Sequence, residues 1–384
     1  MKIADVVVES FHSTSRTASD EHGHGHPAPE HPSTQSLLKI VTDDGATGYC
    51  LGGGRREVMA QVVKPMILGE DPFYRERIWQ HLNEAQRIRR DTLTDRAIAA
   101  VDMALWDLAG RALNQPVYKL LGAYRDKVPA YASTMCGDDM PGGLSTPEEY
   151  AEFAVACKKR GYTAFKLHTW QPRMPGAPDP KRDVAACRAV REAVGDDMVL
   201  MLDPYHYYNR EQSLYIGREL EKLNYYWMEE SMDEHSMSSY VWLTEQLQSL
   251  HIVGPETAEG KMWARAEWIV SHASDVSRGG TGDVGGLTPL MKTIHLCESH
   301  GVRLEVHGGG PGNLTALCAM GIPGEYFERG LLHPFIDYEL IPPYLNALID
   351  PMDDQGNVHI SQQPGLGWDF NWDYIRDNTI TPKE

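Results

Sequence analysis

The segments MVLMLDPY (Met198–Tyr205), YYWMEES (Tyr225–Ser231) and HIVGPET (His251–Thr257) decide the fold. Each contains a short apolar run with a carboxylate at or near its end, and stretches of helical periodicity separate them. Strands buried on both faces read as near-continuous apolar runs, and strand–helix alternation builds a parallel sheet. The same rhythm recurs upstream in VPAYAS (Val128–Ser133) and AFKLHT (Ala164–Thr169). Downstream it recurs in SDVSRGG (Ser274–Gly280), VRLEVHG (Val302–Gly308) and EYFERG (Glu325–Gly330). Helical patterns over Pro147–Lys159 and Pro180–Val194 fill the first gaps. Eight strand candidates alternating with helices over about 200 residues predict a (β/α)8 barrel.

The N-terminal third has a different texture. Ile3–Val8 and Ser36–Val41 read as strands, the second followed by the turn Asp43-Asp44-Gly45. The polar, His-, Gly- and Pro-bearing segment between them reads as a mobile loop. Helical patterns run from Arg56 to about Arg90 and from Thr94 to about Leu113. This is an α+β unit, and the residues after about Asp350 lack the barrel rhythm and are expected to return to it.

The chain has 384 residues, with 36 Lys+Arg against 54 Asp+Glu, a formal net charge of −18. Such acidity excludes a nucleic-acid partner, since phosphate binding needs a basic surface. No run of about 18 apolar residues is present, so no membrane span is expected. Asp5 and Glu9 interrupt any secretory core in MKIADVVVES. Cys50, Cys136, Cys157, Cys187, Cys297 and Cys318 form no CxxC pair, which argues against a zinc knuckle and fits small buried thiols in a reducing cytoplasm. An acidic protein that binds an anion needs a local positive centre.

In a barrel the chemistry sits where strands end. The polar residues there are Lys166 and His168, Asp203, Glu229, Glu256, His307 and Glu328. Lys166 and His168 are two apart and share a strand face. Asp203, Glu229 and Glu256 follow one another at intervals of 26 and 27 residues, about one strand–helix unit each. Three carboxylates in one desolvated mouth repel one another. A hard divalent cation resolves that repulsion, and all-oxygen ligands favour Mg²⁺, with Mn²⁺ also compatible. Glu230 is expected on the opposite face, structural or supporting.

DRAIAAVDMALWDLAGRALNQPVYKLLG (Asp95–Gly122) resembles the signature helix of the enolase superfamily, mandelate racemase-like subgroup. WMEES resembles its fourth-strand motif, with Ser231 where proline is usual, and DVGGLTPLMKTIHLCESHGVRLEVHG (Asp283–Gly308) and PGLGWDF (Pro364–Phe370) resemble later segments. The resemblance spans essentially the whole chain. It implies a modified (β/α)7β TIM-like barrel at residues 126–350, an N-terminal α+β capping domain at 1–125, and a C-terminal segment at 351–384 that packs on the cap. It also implies one Mg²⁺ per chain on Asp203, Glu229 and Glu256, and abstraction of the proton α to a substrate carboxylate. In this superfamily a Lys or His base removes that proton while Mg²⁺ stabilises the enediolate. Barrels of this kind often associate, so a homo-oligomer is expected.

Two departures matter. The second strand usually carries Lys-x-Lys; here it is Lys166-Leu167-His168, so His168 is either a base or acid or a hydrogen-bonded structural residue. The aspartate that usually partners the seventh-strand histidine falls on Gly280, which leaves His307 without it unless Asp283 moves in. Glu328, if protonated, can donate a hydrogen bond to the substrate oxygens. Tyr205, His206, Arg55 and Trp170 are candidate substrate contacts, with Arg56, Arg173 and Arg182 further candidates. His22, His24 and His26 invite a metal-binding reading, a substrate-covering loop, or a solvated face. The expected reaction is dehydration of an acid sugar, an aldonate or aldarate, to a 2-keto-3-deoxy acid through a metal-stabilised enediolate. A racemase, epimerase or cycloisomerase shares the first step.

Overall fold

The computed structural model describes residues 1–21, 23–321 and 326–381. His22 and Glu325 therefore lie outside the described residues. The N-terminal sheet is antiparallel, in the order β1 (Ile3–Ser19), β2 (Gly25–Thr42), β3 (Thr47–Leu51). The segment expected to be a mobile loop is in fact the outer half of two long strands, paired from Ile3↔Thr42 to Ser19↔Gly25. The base of β1 alternates buried Val6 and Val8 with exposed Val7, a pattern visible in sequence. The outer half is largely solvated, so its Ser and Thr residues carry no apolar alternation although they suit extended backbone.

The helical pattern expected from Arg56 to Arg90 is divided. Helical turns run from Arg56 to Ile67, Gly69 breaks them at φ +78°, and α1 spans Arg75–Gln86. Helix α2 (Asp95–Ala112) begins at Thr94, whose hydroxyl accepts from the Ala97 N–H at 3.2 Å. Trp79, Leu82, Ile98, Val101 and Leu105 pack with Val6, Val8, Leu38 and Ile40 into one capping core.

The barrel strands are β4 (Lys127–Thr134), β5 (Ala164–His168), β6 (Val199–Asp203) and β7 (Trp227–Glu229). They continue as β8 (His251–Val253), β9 (Val276–Arg278), β10 (Arg303–Glu305) and β11 (Phe327–Leu332). All are parallel to their neighbours, and the last strand lies beside the first, giving the order β10-β9-β8-β7-β6-β5-β4-β11. Tyr131, Ala164, Met201, Trp227, Val253 and Val276 fill the interior. The alternate residues Leu167, Leu200, Leu202, Met228 and Ile252 face the helical layer. Helix α3 (Pro147–Arg160) shows how sequence sets these helices: Thr146 caps it, Glu148 and Glu149 favour its positive end, and Gly161 ends it at φ +112°. The tail adds β12 (Asn357–His359) antiparallel to β4, and Phe370 and Ile375 pack with Phe11 and Leu37. Among the described residues no helix is long and apolar enough to cross a membrane. All six cysteines are free.

Asp183, in α4 (Pro180–Val194), is buried against the Tyr208 hydroxyl. Burial pushes its carboxyl up to about 7 against the opposing hydrogen bond from Tyr208. Because the folded value exceeds the unfolded one, the contribution to stability is complete below about pH 4 and is lost as pH rises through about 7. Asp183→Asn is therefore expected to flatten the thermal-stability profile between about pH 4 and 7. An unchanged slope in calorimetry would refute this.

Candidate active site

Strand ladders carry the functional side chains to one end of the barrel. His168 pairs in register with Asp203 across β5 and β6, and Lys166 stands one layer below. Lys166 Nζ lies 2.5 Å from Glu229 Oε1, 2.7 Å from Glu328 Oε1 and 3.6 Å from Asp203 Oδ2. Burial alone would lower this ammonium; the charges of Glu229 and Glu328 outweigh burial and raise it. Lys166 is thus a fixed cation. Asp203 is lowered despite burial, by His168 at 2.9 Å and by Lys166.

Arg278, which was not among the residues expected from sequence, is fully buried among the acids. Its Nε lies 2.7 Å from both Glu229 Oε2 and Glu256 Oε2, and its Nη2 is 3.3 Å from Glu328 Oε2. Val276 and Arg278 share a face of β9, so strand alternation carried the signal that would have found it. Glu328 also accepts from Ser133 Oγ at 2.9 Å and Gly308 N–H at 2.7 Å. Burial would raise Glu328, but Lys166, Arg278 and His307 hold it well below the usual range. It is therefore held as an ionised acceptor; the hydrogen-bond donation open to it in protonated form would need its proton back.

His307 has recruited a partner. Its Nδ1 lies 2.8 Å from Asp283 Oδ2, and its Nε2 is 3.1 Å from Glu256 Oε1. Burial would lower the imidazole, but Asp283 and Glu256 push it up to about 9. Asp283 reaches it from the helical turn Thr281–Val284, with a second bond from the Gly280 N–H at 2.6 Å. A Cβ on Gly280 would strike the His307 carbonyl oxygen and sit 3.1 Å from Asp283 Oδ2. The missing aspartate is thus replaced from three residues further along.

A cavity of about 330 Å³ opens over these groups, lined by Lys166, His168, Asp203, Tyr205, Glu256, His307 and Glu328. Glu230 lines it too, correcting its placement on the opposite face: its backbone leaves the strand at φ +43°. Tyr205 stacks on His168 with ring centroids 4.7 Å apart. The capping side contributes Gly23, His24, Gly25 and Arg96. The hairpin tip is tied down by Arg173, whose Nη2 is 2.7 Å from His26 Nδ1, while His26 Nε2 is 3.0 Å from Asp20.

Other candidates fall outside the cavity lining. Arg55 is exposed at the start of the first capping helical turn. The His206 side chain is 41% exposed and stands 4.0 Å from Glu230 without lining the cavity. Trp170 is buried: its Nε1 donates to the Asp138 carbonyl at 3.3 Å and Arg182 covers its ring at 3.8 Å, so the indole is a packing element. Arg173 is committed to the hairpin, and Arg182 donates to the Ser145 carbonyl at 2.9 Å.

Among the described residues, no three acidic or imidazole side chains stand in a ready-made metal-ligand arrangement. Lys166 and Arg278 interleave them. The donor chemistry nevertheless suits a hard divalent cation. Asp203, Glu229, Glu230 and Glu256 crowd one buried end of the barrel, and burial together with neighbouring carboxylates raises Glu229 and Glu230 strongly, against the opposing pull of Arg278 and Lys166 on Glu229.

Two family models match the chain: Mandelate racemase / muconate lactonizing enzyme, N-terminal domain, over residues 29–122, and Enolase C-terminal domain-like over residues 149–374. The chain belongs to the enolase superfamily, mandelate racemase-like subgroup. Among enolase-superfamily structures, D-glucarate dehydratase from Agrobacterium tumefaciens complexed with magnesium is 50% identical with a TM-score of 0.97, covering 99% of this chain and 100% of that one. L-talarate/galactarate dehydratase of Salmonella typhimurium is 28% identical over 341 residues, 86% of this chain and 79% of that protein. D-galactarolactone cycloisomerase of Agrobacterium fabrum is 28% identical over 354 residues, 89% and 90% of the two chains. These enolase-superfamily relatives include both dehydratases and an isomerase.

Proposed function

We propose that this protein is a divalent-metal-dependent hydro-lyase of the cytoplasm. It dehydrates an acid sugar, an aldonate or aldarate, to a 2-keto-3-deoxy acid. The observation that carries this is the cavity lining: three imidazoles, His168 and His307 on the barrel side and His24 on the capping side, in a chamber that among the described residues has Leu331 as its one aliphatic side chain and several glycines. A polyhydroxy acid meets hydrogen-bonding groups there, and an apolar substrate does not.

Asp203, Glu229 and Glu256 would hold one Mg²⁺ per chain, with Glu230 beside them and Mn²⁺ compatible with the same oxygens. When bound, the ion supplies positive charge against that developing on the substrate carboxylate oxygens as the α-proton leaves. Lys166 adds a fixed positive charge at the same end. His168 takes the α-proton. His307, oriented through Nδ1 by Asp283, gives a proton from Nε2 to the departing β-hydroxyl, and the resulting enol becomes the 2-keto product.

His168→Asn is expected to lower both solvent exchange at the α-carbon and elimination, by roughly 10²–10⁴-fold. His307→Asn should keep exchange while losing elimination to a similar degree. Deuterium wash-in and keto-acid formation, followed across acid sugars with Mg²⁺, check this; wild-type rates in both variants would sink the assignment. Exchange that yields an epimer and no keto acid would favour the racemase reading.

A further inference from the structure

The two walls of the cavity differ in chemistry. The barrel wall holds the acid–base groups and the carboxylate cluster, where the reacting end of an acid sugar belongs on the function proposed above. The capping wall is formed by Gly23, His24 and Gly25 at the hairpin tip and by Arg96 in the first turn of α2. Arg96 is exposed, and among the described residues no carboxylate pairs with its guanidinium, although Asp203, Glu230, Glu256 and Glu328 line the same cavity.

Other arginines around the mouth are committed. Arg173 holds His26, Arg182 holds the Ser145 carbonyl, and Arg278 holds Glu229 and Glu256. Arg96 also stands against local preference, because the first turn of a helix favours acids and disfavours cations. Its neighbour Asp95 follows that preference and pairs with Lys261 at 2.7 Å. Neither the helix nor an ion pair accounts for the arginine. The cavity does. A guanidinium offers a planar fork of donors that matches a carboxylate bidentately. Gly23 leaves the approach from the hairpin open, since a Cβ there would meet nothing within 4 Å.

We propose that Arg96 binds the second, distal carboxylate of a dicarboxylic sugar acid, so that the substrate class is the aldarates. This rests on the acid-sugar reading and adds a specificity-determining residue from the capping domain. An aldonate ends in a neutral hydroxymethyl group there and makes no ion pair.

The test compares kcat/KM of the Mg²⁺-loaded protein on a panel of hexarates and on the hexonates that match them carbon for carbon. Wild type is expected to prefer the hexarate. Arg96→Gln should lower the hexarate-to-hexonate ratio at least about 30-fold, mainly through KM, in line with the strength of charged hydrogen bonds. Arg96→Lys should recover part of it. Far-UV circular dichroism confirms that α2 is intact. A wild-type preference for hexonates, or a ratio unmoved in Arg96→Gln, overturns the assignment while leaving the acid-sugar reading standing. Turnover of neither class, with no α-proton exchange, overturns that reading and this inference with it.

Discussion

Glu229→Gln is expected to reduce turnover by roughly a thousandfold or more and to weaken divalent-metal binding in calorimetric titration, because several kcal/mol of charge stabilisation disappear together. The glutamate is fully buried, with Lys166 at 2.5 Å and Arg278 at 2.7 Å. Its side chain therefore does two jobs. It would supply a ligand to the proposed ion, and it balances two buried cations. Glutamine keeps the shape but leaves those cations short of one negative charge, and breaking a buried pair from one side costs about 3–5 kcal/mol. A lower melting temperature should accompany the loss of turnover. Glu230→Gln separates the roles: Glu230 lines the cavity but neither Lys166 nor Arg278 pairs with it, so its removal should spare more of the metal affinity. Near-normal turnover in Glu229→Gln would remove it from the ligand set. A larger loss of metal affinity in Glu230→Gln would transfer the role to its neighbour.

The acids were readable because each follows an apolar strand, and strand ends are where a barrel collects its polar groups. Lys166 and His168 were readable from two-residue alternation, and the same rule applied to Val276 and Arg278 identifies the buried arginine. Glu230 was not readable, since its arrival in the cavity depends on a positive φ that nothing in WMEES announces. Arg55 and Arg96 show the limit for contacts between domains. Both are exposed arginines at the starts of helical segments, and only the docking of the capping unit on the barrel decides that Arg96 reaches the cavity. Trp170 was a candidate substrate contact because it follows the end of β5 by two residues, yet Tyr150 at 5.0 Å and Arg182 at 3.8 Å enclose its ring. The long hairpin escaped because a solvated ribbon has no apolar face to betray it.

Gly280→Asp, which places an aspartate where the family resemblance leads one to expect it, is expected to lower activity by about a hundredfold or more, within the range of acid–base contributions. In isolation the substitution looks like a repair, since it supplies the aspartate expected beside His307. The geometry argues otherwise. A Cβ at this position collides with the His307 carbonyl oxygen, a backbone atom that cannot rotate away. Moving that backbone displaces the imidazole. The new carboxylate would also crowd Asp283 Oδ2, which already holds His307 Nδ1 at 2.8 Å and the Gly280 N–H at 2.6 Å. Two carboxylates competing for one imidazole repel each other in a buried site. The glycine and Asp283 therefore act as a pair: the absence of a side chain at 280 is what lets the carboxylate at 283 serve as orienter. Asp283→Asn should lose elimination by a similar factor without that collision. Measuring both variants for keto-acid formation and for melting temperature separates steric from electrostatic loss. If Gly280→Asp matched or exceeded wild-type elimination, Asp283 would not be the partner on which His307 depends.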